Sequence, residues 1–74
     1  MNKIKVVLDT QGDVREFVSI ATGISMPVYL EDGSGLRVNG KSLMGVLYGI
    51  GEFENLYVLS EDDTISSKFM KFLR

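Results

Sequence analysis

The chain has no cysteine, no histidine and a single proline, Pro27. Without cysteine there is no disulfide framework and no thiolate metal site. Without histidine as well, a zinc site would have to be built from carboxylates alone, so no metal and no cofactor is expected. An excess of one charge sign is also missing. Eight Lys and Arg stand against ten Asp and Glu, and the cations form no stripe. Nucleic-acid binding that ignores sequence needs several clustered phosphate contacts, so no nucleic-acid partner is expected. No apolar run approaches the roughly 18 residues of a membrane helix, and membrane insertion is not expected. Met1-Asn2-Lys3-Ile4-Lys5 leads straight into a strand pattern, without the apolar core and cleavage site of a signal peptide. The reading is a cytoplasmic protein.

What is present fits one domain over residues 1–74. A domain of this size buries only about 60% of its unfolded surface. Ile4, Val6 and Leu8 alternate with Lys3, Lys5, Val7 and Asp9, a period of two that predicts a strand with one buried face. Thr10-Gln11-Gly12 is a break. Asp13, three residues before Glu16, has the spacing of a capping box with Asp as the cap. Val14, Phe17, Val18 and Ala21 then recur at helical spacing. Gly23 is placed to end that helix in the left-handed conformation.

A hairpin follows. Met26, Val28 and Leu30 alternate with Pro27, Tyr29 and Glu31, and Pro27 suits the start of a strand because it cannot donate to a central ladder. Asp32-Gly33-Ser34-Gly35 supplies turn residues, and Leu36 with Val38 continues the alternation. A short helix starts at Ser42 and ends near Gly49 and Gly51. Its inward residues are predicted to be Leu43, Val46 and Ile50. Phe53 to Ser60 reads as a strand with Leu56 and Val58 on one face. The spacing of Ser60 and Asp63 suggests a second capping box, and the carboxylates of Glu61-Asp62-Asp63 favour the positive end of a helix dipole. Ile65, Phe69, Met70, Phe72 and Leu73 form the stripe of a last helix, with Ser66, Ser67, Lys68 and Lys71 toward water.

The order is therefore β-α-β-β-α-β-α. Each helix has one apolar stripe, so the helices must cover one face of a largely antiparallel sheet. The fold class is α/β of the α+β kind, an open-faced β-sandwich.

Lys41-Ser42-Leu43-Met44-Gly45-Val46-Leu47 resembles the Lys-Ser-Ile-Met-Gly-Val/Leu-Met pattern of HPr, the phosphocarrier of the bacterial phosphoenolpyruvate sugar phosphotransferase system. Val28-Tyr29-Leu30-Glu31, Arg37-Val38-Asn39, Phe17-Val18 and Ala21 are similar to other parts of that family, and the element order is the family's own. The resemblance implies an HPr-like fold over most of the chain. It also implies a phosphoryl-carrying histidine at the start of the first helix, in a glycine–apolar–histidine–any–arginine–proline run. Counted back from Phe17, that position falls on Thr10, the arginine position on Gly12 and the proline position on Asp13, in a loop shorter than the family's. Thr10, Gln11, Gly12 and Asp13 thus read as a degenerate phosphocarrier loop.

The chemistry agrees. A reversible relay needs a neutral nucleophile that gives a high-energy N–P bond, which imidazole does and the Thr10 hydroxyl and Gln11 amide do not. Asp13 adds negative charge where a phosphate would lie. A phosphoaspartate there is conceivable beside its plain role as a cap. Arg15 is near but off the family's arginine position. No nucleophile–base pair is present and no catalytic residue is expected; the protein is read as not an enzyme.

Ser42 has two readings. It caps its helix, a contribution of typically about 1 kcal/mol. The resemblance adds a second: the matching serine of Gram-positive HPr is phosphorylated by a dedicated kinase, and the product binds a transcriptional repressor of catabolite genes. A phosphate at a helix start is favoured by unpaired N–H groups and the dipole. Met44 and Leu47, with Tyr48 nearby, match the family's exposed apolar docking patch, and such patches mark interfaces. Leu47 is open to either face. Gly45 keeps the surface flat or lets the helix pack closely. Together these features imply a non-catalytic, histidine-free interaction module related to sugar transport. Its partners would be phosphotransferase-system components. The alternative is a Ser42-phosphorylated co-regulator of catabolite repression, whose partners would be a serine kinase and a transcriptional regulator. A relative with no remaining link to sugar transport is a third reading.

Overall fold

The computed structural model describes residues 1–74. The expected alternation and helical periods appear as β1 (Asn2–Val6), α1 (Gln11–Thr22), β2 (Val28–Glu31), β3 (Arg37–Asn39), α2 (Leu43–Glu52), β4 (Leu56–Ser60) and α3 (Ile65–Lys68), followed by a 3-10 turn at Met70–Phe72. The sheet order is β1-β4-β2-β3 and every pairing is antiparallel. Val6, Val28, Leu30 and Val58 point to the same face and meet Phe17, Ala21, Val46, Ile65 and Phe69 from the helices in one core. The Phe17 and Phe69 rings lie 4.8 Å apart between centroids. The α+β open-faced sandwich, β-α-β-β-α-β-α with helices on one side, is the observed architecture. No helix is long and apolar enough to cross a membrane.

Several boundaries differ from expectation, each for a local reason. Thr10, not Asp13, is the N-cap of α1. Its Oγ1 accepts from Asp13 N at 3.0 Å, and Asp13 is the third helical residue that reaches back. Glu16 is free of the cap and pairs with Lys71 at 2.7 Å. Gly23 ends the helix at φ −78°, without the left-handed turn. Left-handed backbone is instead used at Gly33 (φ 95°) and Gly35 (φ 107°) in the hairpin turn. Met26 and Leu36 lie outside the strands and are exposed. Helix α2 runs on to Glu52, so Phe53 is its cap and not a strand residue. Its ring sits beneath Gly49, where a Cβ would come within 3.2 Å of it and 3.0 Å of Leu30.

The last helix is one turn only. Ser60 Oγ accepts from Asp62 N at 3.1 Å and donates to the Pro27 carbonyl at 2.9 Å, so the Ser60–Asp63 capping box does not form. Beyond Lys68 the chain turns along β1: Leu73 bridges Val6, Phe72 O accepts from Val7 N, and Lys5 O accepts from Arg74 N. That course keeps Phe69 and Phe72 in the core and turns Met70 outward.

Candidate functional site

Helix α1 begins with a self-contained cap. Thr10 is extended (φ −128°, ψ 164°), and the Asp13 carboxylate accepts from Asp9 N at 3.0 Å and Thr10 N at 3.3 Å. The Asp9 N–H, above all, and then the Thr10 N–H and hydroxyl hold the Asp13 carboxyl below its usual range, with the Lys71 charge a smaller aid. The place where the resemblance puts a phosphoryl group therefore already has its own anion. The Thr10 hydroxyl is occupied as the acceptor of the Asp13 N–H. Gln11 leads into the helix beside Gly12.

Helix α2 begins at Ser42. Its Oγ accepts from Gly45 N at 3.1 Å, and its own N–H donates to the Asn39 carbonyl at 3.1 Å. Asn39 Oδ1 accepts from Lys41 N at 2.9 Å. The Lys41 ammonium is turned away to the Ile24 carbonyl. Gly45 is where it is because the helix start rides on β3: a Cβ there would meet the Asn39 carbonyl oxygen at 3.0 Å. Of its two readings, close packing is the one the geometry supplies.

Side chains on a helix advance about 100° per residue, so 43, 44, 47 and 48 share one side and 46, 49 and 50 the other. Val46 and Gly49 are buried and Ile50 is partly so. Met44 is 79% exposed, Leu47 47% and Tyr48 54%. Leu43, expected inward, is exposed as well. It sits at the border of the buried arc, and α1 does not close over it. The Tyr48 ring stands edge-on to Phe53 at 6.2 Å, which orients it.

Between α1 and α2 runs an open groove of about 230 Å³, lined by Gln11, Val14, Arg15, Leu43 and Leu47. It brings Gln11 of the loop to Leu47 of the apolar patch. Thr10, Gly12 and Asp13 do not line it. The sequence reading set Arg15 aside as off the family's arginine position and turned Leu43 inward; the structure brings both to the groove. The signal for Leu43 was its four-residue spacing from Leu47; for Arg15 it was a cation one turn inside a helix start.

No family model matches the sequence, and no curated protein matches it either. Among solved structures, the chain is similar to HPr-C-His from Thermoanaerobacter tengcongensis. The two share 22% identity with a TM-score of 0.66, over 99% of this chain and 100% of that one. The fold is HPr-like. Thr10 to Asp13 form the start of α1 and Ser42 the start of α2, and the exposed apolar side of α2 includes Leu43, Met44, Leu47 and Tyr48.

Proposed function

We propose that this chain is a non-catalytic protein-interaction module related to the phosphoenolpyruvate sugar phosphotransferase system. It acts as one HPr-like domain over residues 1–74, in the cytoplasm, with proteins rather than nucleic acid as partners, and it carries no phosphoryl group on histidine. The observation that carries this reading is the side of α2. Met44, Leu47 and Tyr48 stand exposed together, joined by Leu43 and bordered by the groove that holds Arg15. An exposed apolar surface of this kind marks an interface, and methionine adapts to varied partners. The lost relay is supported by the absence of histidine and by the Asp13 carboxylate lodged at the start of α1.

A second reading is that Ser42 is phosphorylated and the product binds a transcriptional regulator. It is favoured by the position of the Ser42 Oγ at the start of a ten-residue helix, within hydrogen-bond distance of Gly45 N. A phosphate there would meet backbone N–H donors.

Both readings are tested with the phosphotransferase system's first enzyme and a serine kinase. With phosphoenolpyruvate and the first enzyme, the intact mass stays unchanged; an acid-labile adduct of one phosphate would overturn the lost relay. Met44→Glu keeps the native spectrum and loses binding to the partner. A Met44→Glu chain that unfolds would remove the patch from consideration. Ser42→Asp strengthens regulator binding and Ser42→Ala abolishes its kinase dependence, if the second reading holds. Equal binding by both variants and the parent leaves Ser42 as a cap alone.

A further inference from the structure

The sheet has an outer face that no helix covers, and its side chains are organised in two rows. In one row Lys5 lies opposite Tyr57, Tyr57 opposite Glu31, and Glu31 opposite Arg37; in the next, Lys3 lies opposite Leu59 and Leu59 opposite Tyr29. Glu31 is only 4% exposed. It sits 3.3 Å from the Lys3 ammonium and 3.3 Å from the Arg37 guanidinium. Each cation is also held over a ring, Lys3 4.7 Å above Tyr57 and Arg37 5.3 Å above Tyr29. Two cations are thus fixed on either side of one carboxylate. Both cations remain part-exposed, the Lys3 side chain at 45% and the Arg37 side chain at 41%. Lys5 has no ion-pair partner. At the margin, Glu61 is matched by the N-terminal ammonium at 3.8 Å. Three cations against one buried carboxylate make this face positive on a chain of net charge −2.

We propose that the outer face of the sheet is a second docking surface, separate from α2, for an acidic protein segment in extended conformation. Charge complementarity sets the sign, and partly ordered cations lose less freedom on binding than free ones. Lys3 and Lys5 stand on the same side of β1, roughly 6.6 Å apart along the strand. Carboxylates at alternate positions of an extended segment repeat at that same spacing. Single-stranded nucleic acid fits less well, because its bases need open rings to stack on, and both tyrosines are covered by cations. An anionic membrane surface fits less well too, since the one aliphatic side chain in these rows, Leu59, is buried.

The test is a titration of the ¹⁵N-labelled protein with a synthetic peptide alternating Glu and Ser, followed by amide shifts. Shifts are expected on β1, β4, β2 and β3, and they disappear when salt is raised toward 1 M, where the screening length falls to about 3 Å. The same peptide with Gln for Glu produces none. Lys5→Gln, exposed on an edge strand, weakens binding roughly threefold to fivefold. No shift with the acidic peptide, or shifts confined to α2, would overturn the surface. Tighter binding of an oligothymidylate or of phosphatidylserine vesicles at these strands would overturn the choice of a protein segment.

Discussion

At the scale of single residues, three glycines in α2 make opposite demands. Glycine is less favourable than alanine inside a helix by up to about 1 kcal/mol. At Gly51 nothing lies within 4 Å of a built Cβ, so the propensity gain is free. At Gly45 the Cβ would press on a backbone carbonyl of β3, and at Gly49 on the Leu30 and Phe53 side chains, each at 3.0–3.2 Å. Gly51→Ala is therefore expected to stabilise the protein by roughly 0.5–1 kcal/mol. Gly45→Ala and Gly49→Ala should destabilise it by about 1–3 kcal/mol, the usual effect of forcing extra atoms into a packed site. Urea midpoints at constant slope decide it: a Gly45→Ala chain as stable as Gly51→Ala would show that α2 does not ride on β3. The sequence displays three glycines in one apolar helix and gives no sign of which is which. That depends on what lies across from each, and only the folded chain brings Asn39 or Leu30 there.

At the scale of elements, the apolar periods located every helix and strand, while the ends followed polar contacts that the periods do not encode. The box Asp13–Glu16 had the right spacing, but Thr10 had it too, with Asp13 as its partner. Two caps competed within four residues, and the one that also satisfied Asp9 N was formed. Leu43 was read inward because two of three apolar residues on a short helix usually are; the groove beside α1 left it uncovered. Helix α3 shows the same dependence on polar contacts. Asp62 accepts from the Thr64 backbone and hydroxyl and from Lys68 at 2.8 Å. The Lys68 ammonium, then Thr64, lowers its pKa to about 2. A carboxyl depressed in the folded state adds stability above its unfolded pKa, near 3.9, and loses it as pH falls through the folded value. Asp13 and Asp32 are lowered in the same sense. Thermal midpoints should therefore drop between about pH 4 and pH 2. Asp62→Asn should give a shallower drop over that window. An identical acid profile in Asp62→Asn would mean that the α3 contacts do not persist in solution.

At the scale of the whole molecule, the HPr-like order β1-β4-β2-β3 joins strands distant in sequence, and the three aromatic rings under α1 lock that arrangement. Phe17 from α1 meets Phe69 and, at 6.4 Å, Phe72. The C-terminal segment that carries Phe69 and Phe72 is tied to β1 by the Val6–Leu73 bridge. Phe17 thus connects the first helix to the C-terminal segment, and the Val6–Leu73 bridge carries that segment on to β1. Seventy-four residues hold roughly 4–11 kcal/mol in total at the usual 0.05–0.15 kcal/mol per residue. Phe17→Ala removes a fully buried ring and leaves a cavity, a change that costs about 3–5 kcal/mol. Its melting temperature, followed by far-ultraviolet circular dichroism, should fall by roughly 12 °C or more. Met44→Glu, altered only on the exposed side of α2, should melt like the parent. A Phe17→Ala melting temperature within a few degrees of the parent would mean that the core does not run through Phe17. The tie between α1 and the C-terminal turn would then have to be rebuilt around Ile65.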